Sequence, residues 1–239
     1  MNDAKGKLIG VSVGPGDPEL MTLKAKRAIE SSSVIAYPVK KEGETSFALE
    51  IVRSAADISG KEILELVFPM DPDYVVREAG RRHAIDKLCS VLADGQDVCM
   101  ITLGDAGVFS TYMRIDLSVS ERGYETCQIP GVTSFCAGAA KAKVPLISGE
   151  EGLAIIDSAK NDGALRKAFD DFDNIVVMKA YDSIPEILYM MREREIPFDR
   201  GVVISNIGMD DEYVGGMDPG REYGYFTTVI INKKRRWTA

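Results

Sequence analysis

Short apolar runs, each broken by a glycine- or proline-bearing turn, alternate with segments of helical spacing through the first half of the chain. Residues 8–13 (LIGVSV) read as a strand that stops at Gly14-Pro15-Gly16, and apolar positions Leu20, Leu23, Ala25 and Ile29 then follow a helical period. Residues 34–37, 62–67 and 98–103 read as further strands, with helices predicted over 46–55 and 75–92. The run 98–103 is apolar throughout, which is the pattern of a strand buried on both faces of a parallel sheet. This alternation predicts an α/β fold with helices on both sides of a parallel sheet.

The second half has a different texture. Strands are predicted at 126–129, 152–156, 174–178, 201–205 and 225–232, the last rich in β-branched residues. Helices are predicted over 134–142, near 164–169 and over 183–194. Antiparallel or mixed pairing near the end of the chain fits this half better than a second doubly wound sheet. A domain boundary is expected around residues 116–123, giving α/β domains over 1–118 and 119–239. No repeat or low-complexity tract interrupts either half.

The 239 residues carry 29 Lys and Arg against 37 Asp and Glu, a net charge of −8, which argues against a general nucleic-acid binder. The longest apolar runs fall far short of the ~20 residues that span a bilayer, so no membrane partner is expected. The polar start MNDAKGK reads as lacking a signal peptide, and a cytoplasmic location follows as an expectation. Cys89, Cys99, Cys127 and Cys136 form no CxxC pair and are expected to be small buried thiols in a reducing compartment. A single histidine, His83, excludes a His-rich zinc site and leaves no Ser–His triad unless His83 itself serves. Its charged helical setting predicts solvated surface, and no protein-bound metal is expected.

Three strand-to-helix turns carry the candidate chemistry. Gly14-Pro15-Gly16-Asp17-Pro18-Glu19-Leu20 closes a strand and opens a helix, where backbone N–H groups and close approach favour a ligand. It lacks the Gly-Lys-Ser/Thr of a Walker loop, and Glu19 stands at the third glycine of a dinucleotide fingerprint. Asp17 as an N-cap and Pro18 in the first turn explain two of its residues without any ligand. Leu103-Gly104-Asp105-Ala106-Gly107-Val108 places an acid at the carboxyl end of the most apolar strand, suited to an amine or ribose hydroxyls, or equally to capping the next helix. Pro130-Gly131-Val132-Thr133-Ser134 is a third turn of the same kind.

Taken in order, GPGDPEL, LGDAGVFSTY, PGVTSF, DNIVVMKA and ISNIG resemble the tetrapyrrole methylase family along essentially the whole chain. The resemblance implies two α/β domains with S-adenosylmethionine in the cleft between them, a homodimer, and methyl transfer to a carbon of a reduced tetrapyrrole. Ala36-Tyr37-Pro38-Val39-Lys40 and Val67-Phe68-Pro69-Met70 resemble the branch acting at carbon 20 of precorrin-2 or cobalt-factor II in cobalamin biosynthesis. Carried over by motif, the cofactor positions are Pro15, Leu103, Gly104, Asp105, Val108, Thr133, Ser134, Met178, Asn206, Ile207, Gly208, Thr227 and Thr228. The family usually carries Gly-Asp-Pro where this chain has Gly104-Asp105-Ala106, and the alanine is expected to loosen the turn.

A sulfonium methyl is already activated, so such an enzyme mainly aligns a nucleophilic carbon behind it. Asp105, Tyr112 and Glu19 are candidates for a base that accepts the departing proton, Asp105 and Tyr112 being carried as the catalytic pair. Substrate carboxylates call for local cations, and Lys40 and Arg114, beside motif segments, are the substrate-binding candidates. The run Lys233-Lys234-Arg235-Arg236 reads as a solvated tail, and Tyr189-Met190-Met191 as helix core. Alternatives are the uroporphyrinogen III, diphthamide or another precorrin branch of the same family, or a module that binds the cofactor without catalysis.

Overall fold

The computed structural model describes residues 5–157 and 162–237, so the first four residues of the polar start lie outside it. The chain divides into two compact units, Met1–Thr133 and Ser134–Ala239.

The first unit runs β1 (Leu8–Ser12), α1 (Leu23–Ser31), β2 (Val34–Val39), α2 (Phe47–Ala55), β3 (Glu62–Val67), α3 (Tyr74–Ala93), β4 (Val98–Thr102), α4 (Tyr112–Glu121) and β5 (Thr126–Ile129). Its strands lie in the order β3-β2-β4-β1-β5, every pairing parallel. The two-residue strand period sorts the core into two layers. Ile9, Val11, Ile35, Cys99 and Ile101 meet α1 and α2, whereas Leu8, Val34, Ala36, Val98 and Met100 meet α3 and α4. Helix starts are capped as the local sequence dictates: Thr22, Ser46 and Asp73 accept the N–H groups of Ala25, Leu49 and Val75.

The second unit runs α5 (Ser134–Lys141), β6 (Leu153–Asp157), α6 (Asp162–Asp171), β7 (Asn174–Met178), α7 (Ile184–Glu193), β8 (Gly201–Ser205), β9 (Tyr213–Gly215) and β10 (Thr227–Asn232). Its order is β6-β7-β10-β8-β9, parallel between β6 and β7 and antiparallel elsewhere. Because β10 runs against both neighbours, its amino end shares a sheet edge with the carboxyl ends of β7 and β8. The mixed sheet is the one the sequence pattern predicts.

Several expectations are corrected. The boundary expected at 116–123 falls in α4 and the turn after it; the units divide after Thr133, because β5 completes the first sheet beside β1. Cys99 alone of the four cysteines is buried, and that burial pushes its thiol up to about 11. Cys127 lies on the edge strand β5 and Cys136 on α5, both exposed. The basic run is not a free tail: Lys234 pairs with Asp173 at 2.9 Å, Arg235 with Glu151 at 3.2 Å and Arg236 with Asp199 at 3.1 Å. Met190 and Met191 are core, as expected, while Tyr189 is exposed and bonds Glu193.

Candidate functional site

In the first unit, β4, β1 and β5 are neighbours that point the same way, so the three glycine-bearing loops leave one edge together. Two of them are zipped by the backbone. Gly104 N–H donates to the Gly14 carbonyl at 2.7 Å, and Gly14 N–H returns to the Gly104 carbonyl at 3.3 Å. Asp105 ties in the third: Oδ1 accepts from Gly107 N–H at 2.8 Å and Oδ2 from Gly131 N–H at 2.7 Å. Gly131 is pressed so closely that an added Cβ would lie 2.5 Å from the Ser12 Cβ and 2.7 Å from the Gly104 oxygen.

Ala106 has its own tie. Its N–H donates to the buried Ser12 hydroxyl at 2.9 Å, a bond that proline could not make. The alanine therefore does not leave the turn loose. Ser12 was not singled out from sequence, although a lone hydroxyl closing an otherwise apolar strand was its signal.

The loops retain capacity for a ligand. Each Asp105 oxygen takes one N–H, leaving acceptor positions on a half-buried carboxylate. Gly104 has φ 72 and nothing within 4 Å of where a Cβ would stand, so a ligand can approach its backbone closely. Pro15 is buried; Leu103, Val108 and Thr133 are half-buried around these groups, and Ser134 is the first residue of α5. The amine or hydroxyls of the expected cofactor fit the acceptor positions left on Asp105.

Tyr112 does not belong with them. Its side chain is fully buried in α4, with the ring against Gly10, where an added Cβ would come within 2.3 Å of it. The hydroxyl lies 2.7 Å from the Cys127 carbonyl and 3.0 Å from an Asp116 oxygen. Burial and the Asp116 carboxylate push the phenol far above its usual range, which keeps the hydroxyl in its protonated, donating form. Glu19 is exposed in the short turn after Asp17, whose carboxylate accepts the Glu19 N–H at 2.8 Å.

In the second unit, antiparallel pairing brings the remaining candidates to one edge. Thr228 lies opposite Met178 and Thr227 opposite Ser205, while Asn206 N–H donates to the Phe226 carbonyl at 3.1 Å. Asn206 adopts φ 52, and its side-chain amide donates to Asp211 at 2.7 Å. Ile207 is buried and Gly208 exposed, the latter's N–H donating to Glu212 at 2.9 Å. Met178 is half-buried and open to contact, but Thr227 is fully buried. Its hydroxyl lies 2.6 Å from the Gly224 carbonyl and 2.8 Å from the Ser205 hydroxyl, which makes it a strut behind the edge. Thr228 is buried beside it.

Lys40 follows β2 at the same edge as the Asp105 loop, exposed, with its N–H donating to Glu44 at 3.0 Å. Arg114 stands exposed in the first turn of α4. The structure thus places both on the first unit. His83 is exposed on α3. Among the described residues no group of three or more His, Cys, Asp or Glu is arranged to hold a metal, and no helix is long and apolar enough to cross a membrane.

Loops gathered at the carboxyl edge of a parallel sheet, with a half-buried carboxylate among them, are the arrangement at which α/β proteins commonly bind small polar ligands. The family described as Tetrapyrrole (Corrin/Porphyrin) Methylases matches residues 7–216, and the chain belongs to that family. A probable cobalt-precorrin-2 C(20)-methyltransferase of Methanocaldococcus jannaschii is 36% identical over 195 residues, covering 82% of this chain and 81% of the relative. The cobalt-precorrin-2 C(20)-methyltransferase of Salmonella typhimurium is 31% identical over 235 residues, covering 96% and 97%. Among solved structures, the uroporphyrin-III C-methyltransferase of Thermus thermophilus in complex with S-adenosylhomocysteine superposes with a TM-score of 0.67 at 20% identity, covering 95% of this chain and 98% of that one.

Proposed function

We propose that this chain transfers a methyl group from S-adenosylmethionine to carbon 20 of cobalt-precorrin-2 in cobalamin biosynthesis. The carrying observation is the 31% identity over 96% of the chain to a relative named for that reaction. Both relatives described above are named for the cobalt-bearing substrate, which favours it over metal-free precorrin-2. Cobalt enters as part of the substrate.

S-adenosylmethionine supplies an activated methyl on a sulfonium. The chain's contribution is binding and orientation. Asp105, with acceptor capacity left on both oxygens, accepts from the cofactor's amine or hydroxyls while holding the Gly107 and Gly131 backbones in place. The open Gly104 backbone, Leu103 and Val108 receive its non-reacting parts, and Pro15, Thr133 and Ser134 flank them. Met178, Asn206, Ile207 and Gly208 are the contact positions in the second unit, supported there by Thr227 and Thr228. Lys40 and Arg114 pair with substrate carboxylates. Tyr112 is a core residue, and the departing proton passes to Asp105 or to water. The family resemblance supports a homodimer, and the free thiols agree with a reducing cytoplasm.

The test is anaerobic incubation with S-adenosylmethionine and either cobalt-precorrin-2 or precorrin-2, read by mass spectrometry. One methyl added to the cobalt form supports the proposal. Transfer to the metal-free form alone would move the substrate, and transfer to neither with cofactor bound would remove the branch.

A further inference from the structure

The segment Tyr37-Pro38-Val39 ends β2 and runs into a turn that one carboxylate ties to β3. Glu65 of β3 stands directly opposite Tyr37 in the parallel register. Its Oε2 accepts the Tyr37 hydroxyl at 3.0 Å, and its two oxygens share the Gly43 N–H at 3.1 and 3.2 Å. The turn is closed from within by Glu44, whose carboxylate accepts the Lys40 N–H and whose own N–H donates to the Lys41 carbonyl at 3.3 Å. Residues 40–43 are exposed, so these polar ties rather than burial hold the turn. Burial and the Glu65 carboxylate push the Tyr37 phenol up, keeping it a donor through the neutral range. Because β2 adjoins β4, the turn presents Lys40 and Lys41 at the edge that carries the Asp105 loop.

We infer that Glu65, locked by Tyr37, is a positioning residue for a substrate-recognition turn. It touches no substrate itself, and sets Lys40 and Lys41 to pair with the side-chain carboxylates of a polycarboxylate macrocycle. This rests on the tetrapyrrole reading and adds a specificity element to it.

The test compares kcat and KM for the tetrapyrrole, the Kd for S-adenosylmethionine and the Tm across wild type, E65A, E65Q, Y37F and the pair K40A/K41A with and without E65A. Loss of a charge-assisted tie should raise the tetrapyrrole KM of E65A about tenfold, with kcat, cofactor Kd and Tm little changed. E65Q should restore most of this, because its amide oxygen still accepts from Gly43. E65A should add nothing on top of K40A/K41A, since the positioned lysines are already gone. An unchanged KM in E65A, additivity with K40A/K41A, or an equal loss of cofactor affinity would overturn the inference while wild-type transfer leaves the functional reading standing. Should E65A fail to fold, Y37F carries the test: a raised KM alone supports the inference, and an unchanged KM overturns it. Absence of transfer by the wild type would remove both.

Discussion

The loops at the edge of the first sheet are tied to one another by hydrogen bonds, whereas on the second two residues with an uncommon backbone conformation directly follow the strand ends. In the first, Gly14 and Gly104 exchange hydrogen bonds, Asp105 takes two backbone N–H groups and Ser12 takes a third, and Phe109 at φ 46 stands left-handed further along the Asp105 loop. In the second, Lys179 and Asn206, just past the ends of β7 and β8, both sit at φ 52, each at a cost of about 1 kcal/mol for a residue with a Cβ. A network around them keeps that geometry: Lys179 pairs with Asp157 at 3.0 Å, and Asn206 bonds Asp211. The contrast follows from topology. Parallel strands deliver three carboxyl ends side by side, so their loops can tie to one another. The antiparallel β10 instead delivers an amino end between the carboxyl ends of β7 and β8.

The contrast makes predictions of decreasing size. Gly131→Ala should break the first edge outright, because its Cβ collides with backbone as well as side chain; about 3 kcal/mol of stability is at stake. Thermal unfolding and cofactor titration together would show it, and a variant of wild-type stability would mean that the turn yields freely. Asp105→Asn swaps a two-acceptor carboxylate for an amide facing a backbone N–H, so about 2 kcal/mol of cofactor affinity and kcat/KM should be lost in parallel. If turnover vanished with cofactor affinity intact, Asp105 would be the proton acceptor and its tie secondary.

On the second edge, Thr227→Val leaves the Ser205 hydroxyl and the Gly224 carbonyl without their partner. A loss of about 1.5 kcal/mol by denaturant unfolding, with cofactor affinity reduced less than in Asp105→Asn, is the expected pattern. A larger affinity loss there would make the second edge the dominant one. Tyr112→Phe should be the mildest, costing about 1 kcal/mol and leaving kcat and its pH profile intact. Abolished turnover in a folded Tyr112→Phe variant would return the phenol to the chemistry.

Much of this was legible in the chain before folding. Strands at Glu62–Val67, Thr126–Ile129, Asn174–Met178 and Gly201–Ser205 were bounded to the residue, each lying close to a Gly, Pro, Asp or Asn that marks a turn. β9 escaped because three residues make no pattern. The turns around Gly14, Asp105 and Gly131 were visible as candidates, but their mutual ties were not: Asp105 and Gly131 are 26 residues apart, and the bond between them exists only once β5 lies beside β1.

Local sequence thus determined most of the elements, the class of each sheet and the three glycine turns, because propensity, capping and hydrophobic period act over a few residues. Tertiary structure alone decided what each polar group does. It buried Tyr112 against Gly10, set Ser12 beneath Ala106, placed Glu65 opposite Tyr37 and seated Thr227 between Ser205 and Gly224. Those roles depend on strand order and register, which join residues far apart in the chain, and a hydroxyl or carboxylate reads the same in sequence whether it meets a ligand or a backbone N–H.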